Sequence, residues 1–173
     1  MKEIIINDNN LEESEIEQKV IRVKALILNS NGRIILAHNN NTYQFPGGHK
    51  TEEETMEECI LREIKEETGL SLQVTEEPFL CIKTYDNNYF DTGKKVLNSI
   101  YYYRFFTNEL PNFMETQYDE LEMATDFNLY YIKWKDLETF LQQQESQEMD
   151  PNITREMLHV IEEYNRQFKE EII

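Results

Sequence analysis

The chain is predicted to be an α/β protein, an α/β/α sandwich around a mixed β-sheet with an extra C-terminal helix. Three observations predict it. Aliphatic and β-branched runs separated by turn residues lie both before and after a central stretch of helical periodicity. A second helical stretch follows the last of those runs, and a third lies near the end of the chain. Strands on both sides of a helix, in 173 residues that are 39% hydrophobic and 12% aromatic, fit one domain with a sizeable core.

Residues 1–19 form a polar, acidic flank in which residues 3–6 suit a short edge strand. Residues 20–28 and 33–37 are strand-like and flank Asn29-Ser30-Asn31-Gly32, whose Asn-Gly pair marks a hairpin. An asparagine-rich loop at 39–42 returns the chain to Tyr43-Gln44-Phe45 and a Pro46-Gly47-Gly48 turn. Met56, Cys59, Ile60, Leu61 and Ile64 then recur at three and four residues, so a helix with one buried stripe spans about 55–68. Strands follow at 72–74, 79–85 and 96–106, with 86–95 as the turn of a long hairpin. A last strand at 129–133 leads into a helix over about 136–144, and residues 142–147 read as a polar connector. Ile153, Met157, Val160, Ile161, Tyr164 and Phe168 give helical spacing for a helix at about 152–170, with Asn152 as its cap. Covering the core is the first reading of that helix, and a homodimer contact is the second. The domain is taken as 1–173, with its core at about 20–144.

The central helix carries the chemistry. At about 100° per residue, Cys59, Glu63, Glu66 and Glu67 share an arc of roughly 100° beside the apolar stripe. Three carboxylates therefore converge on the helix's last turn. Like charges at these spacings oppose one another, and the C-terminal end of the helix dipole is itself negative, so the arrangement calls for a cation. Carboxylate oxygens suit a hard divalent ion such as Mg²⁺, with Mn²⁺ as a substitute, and Mg²⁺ sites combine a few carboxylates with waters and substrate phosphates. Glu57 and Glu58 read as a solvated face.

Gly48, Glu54, Arg62, Glu63, Ile64, Glu66, Glu67, Gly69 and Leu70 fill every fixed position of G-x5-E-x7-R-E-U-x-E-E-x-G-U, with U apolar. This is the signature that the stretch shares with the Nudix hydrolases, and the preceding YQFPGG resembles the approach to that family's loop and helix. The resemblance covers about residues 20–144. It implies the Nudix fold and a metal site at Glu63, Glu66 and Glu67, with the Gly48 carbonyl as a further ligand. Arg62 reads as an orienting residue whose planar fork holds carboxylates in fixed geometry. Glu54 is either a structural partner of Arg62 or an outer ligand, and Gly69 is the position past the helix end where φ is positive. Thr51 and Glu53 stand where many relatives have glutamate and glycine, so the loop before the helix is expected to differ.

The reaction implied is Mg²⁺-dependent hydrolysis of a pyrophosphate bond in a nucleoside diphosphate linked to another moiety, by water attack at phosphorus. A non-catalytic nucleotide sensor on the same fold is the alternative, and an intact signature argues against it. The general base is open among Glu63, Glu66 and a carboxylate of the loop before the last strand, where Glu120 and Glu122 are preferred over Glu115, Asp119 and Asp126. Asn128 occupies the place where many relatives carry a glutamate. Substrate contacts are expected from Arg22 and Lys24, which alternate with Val23 and Ala25, and from Lys83 and Arg104 on later strands. An aromatic group, Tyr85, Tyr89, Phe90, Tyr101 and Tyr103, suits either core packing or stacking of a base. His49 reads as a solvated loop residue.

The formal net charge of −17 argues against a stable nucleic-acid complex and against anionic membrane surfaces, and leaves a small phosphorylated substrate bridged by metal. Cys59 and Cys81 have neither metal-ligand nor redox-pair spacing. With no apolar run of spanning length and no signal sequence, the expected location is cytoplasmic.

Overall fold

A computed structural model describes residues 1–118, 123, 125–145 and 149–168. In chain order the elements are β1 (Lys2–Ile6), β2 (Gln18–Leu28), β3 (Arg33–Asn39), β4 (Thr42–Gln44), α1 (Met56–Thr68), β5 (Leu80–Asp86), β6 (Val96–Phe106), β7 (Asn128–Lys133), α2 (Leu137–Glu145) and α3 (Pro151–Gln167). The strands join in one sheet of order β1-β5-β6-β2-β3-β4, with β7 on β3. It is mixed: β1 runs parallel to β5 and β2 to β6, while β5 and β6, β3 and β4, and β3 and β7 are antiparallel.

Alternation along β2 explains why both faces are covered. Leu26 and Leu28 face one way, into a core closed by Leu137 and Leu141 of α2 and Met157, Val160, Ile161 and Tyr164 of α3. Val23, Ala25 and Ile27 face the other way, into a second core closed by Cys59, Ile60 and Ile64 of α1. Two faces and two helical layers make the α/β/α sandwich. Helix α3 belongs to the first core, and β1 extends the sheet edge through its parallel pairing with β5.

Several local expectations are corrected. Residues 72–74 are not a strand, and among the described residues none pairs with them; Leu72 and Val74 instead pack partly buried on the α1-side core. The cap of α3 is Asp150, whose carboxylate accepts from the Asn152 N–H at 2.8 Å while Pro151 opens the helix, a place where its missing N–H costs nothing. A 3-10 turn, Trp134–Asp136, precedes α2, and α2 itself takes in residues 142–145 of the expected connector. Glu58 is more than a solvated charge: it closes a capping box with Thr55, accepting from Thr55 N–H at 2.8 Å. Among the described residues no helix is long and apolar enough to cross a membrane.

The sheet's centre positions the site. Strands β2 and β3 meet in register only at Leu28 and Ile34, near the Asn29–Gly32 turn, and then separate. From there the edge of β2 pairs with residues 46–50: Ala25 N–H donates to Pro46 O at 2.8 Å, Val23 N–H to Gly48 O at 3.0 Å, and Lys50 N–H to Ile21 O at 2.9 Å. Gly47 is required at this seam, because a Cβ there would lie 2.1 Å from the Val23 carbonyl oxygen and φ is +134°.

Candidate active site

Helix α1 begins in the capping box and ends where Gly69, at φ 71°, donates its N–H to Lys65 O. Gly69 also lets a later segment approach, since a Cβ would meet Asn112 O at 2.0 Å. The loop so admitted bonds Asn112 N–H to Thr68 O and Gln117 N–H to Glu66 O, each at 2.9 Å. The acidic loop before β7 therefore starts against the end of the glutamate helix.

Arg62 organises the polar face. Its Nη1 donates to Glu63 at 2.8 Å and to Glu66 at 2.9 Å; its Nε and Nη2 grip both oxygens of Glu54 at 3.0 and 2.9 Å; and Nη2 also reaches the His49 carbonyl at 3.2 Å. One guanidinium thus draws three carboxylates together from two segments. The hydrogen bonds from Arg62 pull the Glu54 carboxyl down to about 2 and hold Arg62 firmly cationic. Glu63 responds in the opposite sense. Its side chain is 13% exposed, and burial outweighs Arg62 and raises its pKa above the usual carboxylate value.

Gly48 stands over this cluster so closely that a Cβ would lie 2.5 Å from a Glu63 oxygen. Its own carbonyl accepts one hydrogen bond from Val23, which leaves a second lone pair. Glu67 lies deeper. It is 4% exposed and accepts from the Gly47 N–H at 2.9 Å. Among the described residues, no three histidine, cysteine or acidic side chains already stand in an arrangement that would enclose an ion; Arg62 is shared between Glu63 and Glu66.

The other expected site residues separate. Arg22 is half-buried; its Nε donates to His49 Nε2 at 3.1 Å and its Nη2 to Tyr89 Oη at 2.9 Å, while His49 and Tyr89 are 3.3 Å apart. His49 is exposed, as a loop residue would be, yet it is held by these two contacts; partial desolvation first, then Arg22 and Lys24, push its imidazole down to about 4, and it accepts at Nε2 as a neutral ring. Lys24 is 5% exposed and donates to Gln44 Oε1 at 2.8 Å and Gly47 O at 3.0 Å. Burial lowers its pKa, opposed mainly by Glu67. Lys83 is ion-paired to Glu3 at 2.7 Å on the β1–β5 edge. Arg104 binds Glu76 through two bonds of 2.7 and 2.9 Å and lies 3.8 Å from the Phe168 ring centroid. Glu115 is ion-paired to Lys65, and Glu120, Glu122 and Asp119 lie outside the described residues. The role of Tyr89 was not legible in the sequence, because nothing local ties a hairpin-loop tyrosine to a residue 67 positions earlier.

A model of the NUDIX domain matches residues 18–157. Among solved structures, the MutT protein of Methanosarcina mazei Go1 aligns with a TM-score of 0.57 over 87% of this chain and 98% of that one, at 18% identity. The mutator MutT protein of Bacillus halodurans aligns with a TM-score of 0.50 over 69% of this chain and 72% of the other, also at 18% identity. At such identities the two structures speak for the fold, and the domain match speaks for the family.

Proposed function

The chain belongs to the Nudix family of pyrophosphohydrolases, and from that premise we propose that it hydrolyses, with Mg²⁺, a pyrophosphate bond in a nucleoside diphosphate linked to another moiety. The observation that carries the reading is the Arg62 cluster: one guanidinium holds Glu54, Glu63 and Glu66 together beneath Gly48. Such a convergence of carboxylates on a helix end is unfavourable unless positive charge is supplied.

The residues fit a hard divalent ion. The carboxylates and the Gly48 carbonyl offer oxygen donors, Glu63 and Glu66 already converge on a cationic nitrogen, and the narrow gap above Glu63 exists only because residue 48 has no side chain. Glu63, Glu66 and Glu67 would hold the ion, with the Gly48 carbonyl as a further oxygen and Glu54 as an outer partner. When bound, Mg²⁺ supplies charge neutralisation at the phosphate oxygens and a more acidic water. The chain's own contribution is orientation: Glu54 anchors Arg62, and Arg62 fixes the rotamers of Glu63 and Glu66. Proton removal from the attacking water falls to Glu63, Glu66 or a carboxylate of the acidic loop, where Glu120 and Glu122 are the proposed residues. Arg22 is the cation best placed for phosphate, since its contact with His49 sets it beside Gly48 and its partners are neutral; Lys24 is buried, and Lys83 and Arg104 are ion-paired to carboxylates.

The test is Mg²⁺-dependent phosphate or nucleotide release across a panel of nucleoside diphosphate derivatives, with product identification. Turnover that requires the ion and disappears in Glu66→Gln supports the reading. Turnover by neither the wild type nor any metal-loaded form refutes it.

A further inference from the structure

Residues 87–95, between β5 and β6, carry a side chain that the fold does not need. Phe90 is 72% exposed and sits at φ 48°, followed by Asp91 at φ 57°. Two successive non-glycine residues in the left-handed region are a strained conformation, and an exposed ring recovers none of that cost by burial. The conformation is nonetheless enforced. Asn88 accepts from Gly93 N–H at 2.8 Å and donates to Asp91 at 3.0 Å, and Thr92 Oγ1 donates to Tyr89 O at 2.6 Å. The loop is built to hold Phe90 outward.

Its neighbour Tyr89 reaches the segment that carries Gly48. The Phe90 ring is 4.4 Å from that of Tyr89, and the Tyr89 hydroxyl touches both Arg22 and His49, the residue after Gly48. A phosphate contact and an aromatic face are thus joined through one tyrosine. We infer that the Tyr89–Phe90 corner is a substrate-recognition element, in which Tyr89 positions Arg22 for phosphate and Phe90 offers its face to the planar base of a nucleotide. The inference rests on the hydrolytic reading for the identity of the substrate, and it makes the base, besides the pyrophosphate, part of what is bound.

Stacking on an aromatic ring is tolerant of base identity, so the ledge recognises a base without selecting one. Tyr89 is a positioning residue and Phe90 a specificity residue. The experiment is calorimetric binding of the four common nucleoside 5′-monophosphates and of ribose 5-phosphate to the full chain with Mg²⁺. Ribose 5-phosphate keeps the sugar phosphate and lacks the base. The wild type should bind each of the four nucleotides roughly tenfold more tightly than ribose 5-phosphate, and Phe90→Ala should remove that difference while leaving ribose 5-phosphate unchanged. Phe90→Trp should retain it, and Phe90→Leu should not. Tyr89→Phe should weaken both ligands together. Equal or equally absent binding of nucleotides and ribose 5-phosphate by the wild type overturns the inference, as does unchanged nucleotide affinity in Phe90→Ala, which would leave the ring to a protein partner. Because binding needs no turnover, an inactive wild type would overturn the hydrolytic reading separately.

Discussion

The Arg62 cluster and the Arg22–His49–Tyr89 contact both touch His49, the first at its carbonyl and the second at its ring, and are assembled in opposite ways. In the first, Glu54, Arg62, Glu63 and Glu66 come from 13 consecutive residues and a single helix turn brings most of them together. In the second, a strand, a loop and a distant hairpin meet across separations of 27 and 67 residues. In the reaction proposed above, the charge geometry comes from local chain, whereas contact with the rest of the substrate depends on how the sheet brings separate segments side by side.

The sharpest way to break that contrast is to remove a carboxylate. Glu63→Gln or Glu66→Gln should lower kcat with Mg²⁺ by more than about a hundredfold, while circular dichroism shows the fold intact. Retained turnover in both would remove the helix from the chemistry. Next in size is Arg62→Lys, which keeps the charge and loses the fork that grips Glu54, Glu63 and Glu66; a drop of roughly ten- to a hundredfold in kcat is expected in steady-state kinetics. On the other side, Tyr89→Phe should raise KM several-fold and leave kcat near that of the wild type, a split opposite to that of the helix variants.

The smallest effect concerns stability. Glu54 has a folded-state pKa of about 2, depressed from 4.5 chiefly by the hydrogen bond from Arg62, so its contribution is fully present above about pH 4.5 and lost as the pH falls towards 2. Thermal unfolding of Glu54→Gln should therefore show a deficit of about 1–2 kcal/mol at neutral pH that shrinks below pH 4.5. A deficit independent of pH would mean that the clamp is packing and not charge.

Much of the helix cluster was legible in the chain because helical spacing alone sets its angles: the stripe of Cys59, Ile60 and Ile64, the left-handed Gly69 and the turn at Asn31-Gly32 all follow from local rules. Errors arose where partners decide. Residues 72–74 have strand-forming side chains and, among the described residues, no strand beside them. Asn152 has a capping side chain, yet Pro151 belongs at the first helical position and so shifts the cap back to Asp150. His49 is exposed, and only its contacts with Arg22 and Tyr89, which form through the sheet, have no signal in the sequence. The buried Lys24 is the same lesson with opposite sign: alternation placed it on the expected face, where it turns inward to Gln44 and Gly47.

The central claim is that the carboxylates gathered by Arg62 hold a divalent ion. Electron paramagnetic resonance titration with Mn²⁺ addresses it without turnover. The wild type should deplete the signal of free Mn²⁺, and Glu63→Gln and Glu66→Gln should each bind at least about tenfold more weakly. Equal Mn²⁺ affinity in all three proteins would contradict the account.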